Sequence, residues 1–271
     1  MTALVNEAAR LVSNEQVGPR LYLMVLESPQ VAATIAPGQF VHMKIPDAES
    51  HVLRRPFSVY ARSVQAGTIE VLYQVVGSLT RRMPDLRPGS TVETIGPVGN
   101  TWSAPRLFDS GEASCALLVG GGVGAAPLYL LAERLAQAGR EFDVVLGAQT
   151  RDALVARKRY EQLLGRNPIC ATDDGSYGHA GFCTGPVQER LEQGSLETAS
   201  PYDYVAVCGP EPLMIIVAGM AVRADVRCEV SMEKRMACGI GACLSCVVET
   251  TAGKRRSCVD GPVFDASEVV W

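Results

Sequence analysis

A chain of 271 residues, 47% of them hydrophobic and with a mean hydropathy of +0.11, has room for about two domains and can bury a substantial core. Its net charge of −4 and isoelectric point near 5.5 exclude nucleic acid or an anionic membrane as the main partner. The opening MTALVNEAARLVSNEQVG lacks the basic-then-apolar order of a secretory signal.

Between residues 5 and 100 the sequence reads as short strands: LYLMVLE, FVHMKI, FSVYA, TIEVLYQVV and STVETIG. The turns APGQ and RPGS punctuate them, which predicts a small antiparallel barrel over residues 1–102. TWSAPRLFDSGEAS (101–114) reads as an irregular linker. CALLVGGGVGAAPLYLLA (115–132) carries no charge over 18 positions, about the shortest length of a membrane span. Gly120, Gly121, Gly122, Gly124 and Pro127 would break such a helix, so the stretch reads as buried strand, glycine turn and buried helix. From there strand and helix alternate: a helix over 125–138, FDVVLGA, a helix near 152–164, PICATDD and YVAVCG. Leu128, Leu131, Ala132, Leu135 and Ala136 share one face of the first helix. This alternation predicts a parallel-sheet α/β domain of nucleotide-binding type over 111–225. Residues 226–271 read as a small cysteine-rich module appended at the end. The fold class is therefore multi-domain, α+β and α/β, without a membrane span. A soluble, cytoplasmic protein is expected, with its nine cysteines reduced or metal-bound rather than paired.

KRMACGIGACLSC (234–246) holds three of those cysteines, and Cys238, Cys243, Cys246 and Cys258 are spaced C-x4-C-x2-C-x11-C. The first three match the plant-type ferredoxin spacing for a [2Fe–2S] cluster, while the last gap is shorter. The fourth ligand must therefore return on a short hairpin, VVETTAGKRRS. Gly239 and Gly241 let a tight loop turn backbone N–H groups toward a negative cluster. Lys234, Arg235, Arg255 and Arg256 either add positive field or are solvated surface charge. A four-cysteine zinc site is the alternative, but zinc ribbons usually carry two CxxC knuckles and here there is one. Cys115, Cys170 and Cys183 read as core packing. His42, His51 and His179 are scattered and expected to be structural or exposed, and no catalytic triad is present.

GGGVGAAP (120–127) follows a buried strand and opens a helix, where free N–H groups meet a diphosphate. With CGPEP (208–212), which contributes Cys208, Gly209 and Pro210, it resembles the pyridine-nucleotide half of the ferredoxin–NADP reductase family. RPFS (55–58) stands where that family carries Arg-x-aromatic-Ser. The resemblance implies an FAD-binding β-barrel in which Arg55 pairs with the flavin diphosphate and Ser58 lies close to flavin N5. Pro56, Phe57, Leu72, Tyr73 and Gln74 would line the flavin, and Gly77 and Thr80 of GSLT (77–80) would form a second diphosphate turn. That turn usually reads Gly-x-Gly-Thr, and here Leu79 replaces the second glycine.

Together with the C-terminal cysteines, TDDGSYGHAGFCTG (172–185) and GPVGN (96–100), the whole chain resembles the electron-transfer subunits of type B dihydroorotate dehydrogenases. The resemblance implies electrons passing from an FMN-containing catalytic subunit through [2Fe–2S] and FAD to NAD+, in a heterotetramer with two of each chain. It implies no general acid, nucleophile or orotate site in this chain. GAQTRD (147–152) offers Thr150 and Arg151, and an arginine there could take a 2′-phosphate, so residues alone leave NAD and NADP open. Small subunits of sulfhydrogenases and of NADH-dependent ferredoxin–NADP reductases share the design, and a zinc-stabilised binding module is the non-enzymatic alternative.

Overall fold

The computed structural model describes residues 3–46, 52–111, 115–192 and 200–271, and His51 lies outside them. The N-terminal part is β1 (Val5–Gly18), β2 (Leu21–Glu27), α1 (Pro29–Thr34), β3 (Phe40–Lys44), β4 (Arg55–Ser58), β5 (Ala61–Ser63), β6 (Thr68–Gln74) and β7 (Thr91–Val98). These strands form one antiparallel sheet in the order β4-β3-β7-β1-β2-β6-β5. It curls until Phe57 of β4 meets Tyr73 of β6 edge-on, ring centroids 6.2 Å apart. The sequence reading missed β1, the 14-residue strand at the centre of the sheet, because charged residues mask its period of two. Alternate residues Glu7, Ala9 and Leu11 nevertheless point inward. Glu7 is buried because its carboxylate accepts hydrogen bonds from Ser28 Oγ and from the Gln30 and Val31 N–H groups at the start of α1.

The expected linker is instead partly helical. Residues Ala104–Ser110 form α2, with Pro105 in its first turn and a left-handed Gly111 closing it at φ 78°. Trp102 and Phe108 are buried, and Trp102 Nε1–H donates to the Pro127 carbonyl at 3.1 Å. The connection is therefore packed rather than loose.

The second part comprises β8 (Cys115–Gly121), α3 (Ala126–Gln137), β9 (Glu141–Ala148), α4 (Arg157–Leu164), β10 (Ile169–Thr172), β11 (His179–Ala180), α5 (Thr184–Glu192), β12 (Tyr204–Cys208), α6 (Glu211–Arg223) and β13 (Arg227–Ser231). After it come the hairpin β14 (Val247–Thr250) and β15 (Gly253–Arg256), then β16 (Val263–Asp265). The sheet order is β11-β10-β9-β8-β12-β13-β16, parallel except for β16. Parallel strands buried on both faces explain the uninterrupted apolar runs ALLV and YVAV. The cysteine-rich segment is not appended to a finished sheet: its two ends, β13 and β16, are neighbours within it.

Among the described residues, an ion pair joins the two parts. Arg159 of α4 forks onto Glu70 of β6 through Nη1–Oε2 at 2.5 Å and Nη2–Oε1 at 2.9 Å. Its guanidinium also lies 4.9 Å from the Tyr60 ring and 5.2 Å from the Tyr129 ring. Leu130 of α3 packs into the core of the N-terminal sheet nearby. Replacing Arg159 with methionine keeps the aliphatic stem and removes the forked bonds and ring contacts. The variant is expected to lose about 1–3 kcal/mol of stability, read as a lower melting temperature.

Candidate functional site

Strand β8 ends in a 3-10 turn, Gly122–Ala125, that runs directly into α3, with Pro127 in the first turn where its missing N–H costs nothing. The glycines are required by proximity. A Cβ on Gly124 would overlap the Cys208 carbonyl oxygen and lie 2.7 Å from the Gly209 nitrogen. One on Gly121 would come within 2.6 Å of Leu213 Cδ2 and 3.0 Å of Pro210 Cδ. The GGGVG and CGP turns thus pack backbone against backbone at the carboxyl ends of adjacent strands β8 and β12. Cys208 is buried, its thiol pushed far up by desolvation, with Sγ 3.8 Å from the Ser231 carbonyl oxygen. It is no nucleophile at neutral pH.

TDDGSYG forms a loop beside this edge. Ser176 Oγ donates to Asp174 Oδ1 at 2.6 Å and accepts the Arg151 N–H at 2.8 Å. The hydrogen bonds from Ser176 hold the Asp174 carboxyl below its usual range. The Arg151 guanidinium lies 5.7 Å from the Tyr177 ring centroid, and Arg157 lies 5.0 Å from it. Arg151 was singled out in the sequence, but the serine that fixes its backbone was not.

Arg55, Pro56, Phe57 and Ser58 are all half-buried on the edge strand β4. Arg55 Nη1 donates to the Leu53 and Arg54 carbonyls at 2.9 and 3.1 Å, and makes no ion pair among the described residues. Leu72 and Tyr73 are buried on β6 while Gln74 is exposed. Tyr73 stacks on Tyr22 at 5.5 Å, and its hydroxyl donates to Asn14 Oδ1 at 3.1 Å. In the GSLT turn, Thr80 Oγ1 accepts the Val76 and Gly77 N–H groups, each at 2.9 Å. Leu79, 4% exposed, turns into the core of the sheet. The position where a glycine was expected therefore does not project its side chain toward a phosphate.

The four cysteines of the C-terminal loop meet in pairs. The Cys243 N–H donates to Cys238 Sγ at 3.4 Å, and Cys246 and Cys258 lie together in one buried cluster. The β14–β15 hairpin brings the second pair together, because Val247 lies opposite Arg256 and the Ser257 N–H donates to the Cys246 carbonyl at 2.9 Å. Two pairs of thiolates suit two irons. The inner pair, Cys246 and Cys258, is buried with Phe40, Val98 and Met236, while Cys243 is exposed. Hydrogen bonds, first from Ser245, lower the free Cys243 thiol to about 6, whereas burial and Cys246 push Cys258 up to about 12.

Of the four basic residues considered above, Arg256 is taken by Asp260 at 3.0 Å and by the Gly241 carbonyl at 3.3 Å. It braces the loop. His42, which sequence reasoning set aside, is fully buried beneath the same loop. Burial first, then the charge of Arg54, lowers its imidazole to about 4. A histidine on the inward face of FVHMKI was the available signal. His179 is exposed at β11. Cys170 and Cys183 are core residues, and Cys115 is half-buried at the start of β8.

Three segments of the chain match known domain families. Residues 8–102 match the oxidoreductase FAD-binding domain, 118–219 the oxidoreductase NAD-binding domain, and 233–270 the iron-sulfur cluster binding domain of dihydroorotate dehydrogenase B. The electron transfer subunit of dihydroorotate dehydrogenase B (NAD(+)) from Desulforamulus reducens is 35% identical over 267 residues, 97% of each chain. Its counterpart from Bacillus velezensis is 37% identical over 262 residues, 95% of this chain and 96% of that one. Among solved structures, an NADH-dependent reduced ferredoxin-NADP oxidoreductase superposes with a TM-score of 0.83 at 27% identity, over 98% of this chain and 90% of that one. Phthalate dioxygenase reductase, at 16% identity and a TM-score of 0.62 over 91% of this chain and 87% of that one, shares the fold. The chain belongs to the family of electron transfer subunits of dihydroorotate dehydrogenase B.

Proposed function

We propose that this chain carries electrons between a dihydroorotate-oxidising catalytic subunit and NAD+, and that the residues above hold the FAD, nicotinamide and [2Fe–2S] groups it uses. The carrying observation is the position of Phe40. It pairs with Ser58 of the flavin motif in the β3–β4 ladder, and it shares a buried cluster with Cys246 and Cys258. One strand, β3, thus borders the flavin strand by hydrogen bonding and joins the buried cluster round the inner thiol pair through Phe40.

The residues fit the groups. Arg55, a half-buried cation without a carboxylate partner among the described residues, suits an anionic diphosphate, with the Gly77–Thr80 turn as a second contact. Ser58 and Phe57 lie on the same short strand, with Leu72, Tyr73 and Gln74 across the fold of the sheet. The backbone cradle of Gly120, Gly121, Gly122 and Gly124 at the start of α3, closed by Cys208, Gly209 and Pro210, suits the nucleotide diphosphate. Cys238 with Cys243, and Cys246 with Cys258, suit the two irons. When bound, the flavin exchanges electrons in pairs with a nicotinamide and singly with an iron–sulfur centre, which supplies the two-to-one-electron conversion. This chain's residues position the groups and exclude water from the inner thiol pair, and none of them is required to transfer a proton.

Ile240 and Leu244, 54% and 62% exposed, flank the exposed Cys243. That apolar rim supports docking of an FMN-containing catalytic subunit, two of each chain forming the complex. Among the described residues no helix is long and apolar enough to cross a membrane. The structural likeness to the ferredoxin-NADP oxidoreductase supports a second reading, a subunit of a larger flavoprotein.

Co-expression with an FMN-containing dihydroorotate-oxidising partner tests the assignment. The complex is expected to reduce NAD+ with dihydroorotate, whereas this chain alone does not. A chain that assembles only with a larger reductase overturns the first reading in favour of the second. In anaerobic spectra NADH should bleach the flavin and then the cluster, with NADPH run in parallel to fix the nucleotide. Cys258→Ser should lose the cluster absorbance while FAD stays bound and reducible by NADH. Gly124→Ala should weaken NADH binding at least tenfold, about 1.4 kcal/mol, at unchanged FAD content, measured by titrating flavin reduction.

A further inference from the structure

The imidazole of His42 is 0% exposed, and neither Nδ1 nor Nε2 has a hydrogen-bond partner. A buried donor left unmet is costly, so such a group points to an acceptor outside the protein's own atoms. The backbones of Arg54 and Cys238 lie beside the ring but do not line up to complete a bond. The ring sits directly under the cluster loop. A Cβ on Gly239, whose φ is +70°, would overlap Nδ1 and lie 3.0 Å from Cγ, so the loop comes this close only because that residue is glycine. Gly239 follows Cys238, an outer-pair thiol, while His42 itself lies opposite Pro56 of the flavin strand. An imidazole ring offers an N–H donor on at least one of its nitrogens. A [2Fe–2S] group held by these thiolates would offer sulfur acceptors at the Cys238 side, and hydrogen bonds to such sulfurs tune the potential of an iron–sulfur centre.

We propose that His42 is a positioning residue of the electron-transfer site, donating its imidazole N–H to a sulfur of the cluster at the Cys238 corner and thereby raising the cluster's reduction potential. The proposal rests on the ligand set given under the proposed function. A donor at that corner favours the reduced, more negative state, so its removal lowers the potential.

Pulsed EPR of the reduced full-length holoprotein, with histidine labelled by 15N in the ring, tests the contact directly. A 15N coupling to the cluster is expected, and it should vanish in His42→Leu. The potential of that variant should fall by at least 59 mV, a tenfold change in a one-electron equilibrium. His42→Asn, which restores an amide N–H near the Nδ1 position, should recover at least half of the shift. A full-intensity cluster signal without histidine coupling, or an unshifted potential in His42→Leu, overturns the proposal. Should His42→Leu fail to assemble a cluster, the labelled wild-type protein decides alone. A wild-type protein with no [2Fe–2S] signal overturns the ligand set itself, a different result from a cluster that ignores His42.

Discussion

Strand β3 hydrogen-bonds along one edge to the flavin strand β4 and along the other to β7, and its side chains Phe40 and His42 pack beneath the cluster loop. Five residues therefore fix the position of one redox site against the other. Asn100 at the end of β7 tightens the contact, its amide donating to the Asp260 and Val263 carbonyls at 3.0 and 2.8 Å while accepting the Val263 N–H at 3.0 Å. The geometry depends on well-aligned backbone hydrogen bonds and a small dry core, which hold positions within fractions of an ångström.

The nucleotide turn is fixed differently. Its glycines allow the GGGVG and CGP backbones to touch, and the helix that follows is pinned to the N-terminal sheet by Leu130, by the Trp102 bond to Pro127 and, through α4, by the forked Arg159–Glu70 pair. One boundary is thus held by apolar packing plus a cation between two tyrosines, the other by strand pairing.

Motif order made most of the fold legible in the sequence. Apolar runs and glycine turns announced the parallel sheet, and the cysteine spacing announced two irons before any contact was seen. What escaped was structure whose signal is spread across distant residues. Strand β1 hides its alternation behind charge, and α2 is too short and irregular in composition to stand out. Leu79 departs from the family's glycine, and the sequence does not say that its side chain turns inward. His42 looked incidental because its neighbour, Gly239, is almost two hundred positions away.

The cluster loop leaves the nucleotide sheet from β13 and returns to it as β16, the strand that flanks β13. It is therefore an excursion between two adjacent rungs of one ladder rather than a tail. Trimming the chain after β13 would strip that strand of its cover and leave a row of unpaired backbone groups, a template for aggregation. Grafting the loop onto another reductase would likewise require carrying β16 with it. Loss of the cluster segment and loss of colloidal stability are expected to arrive together, which gives a lineage of such subunits little freedom to shed the module piecemeal.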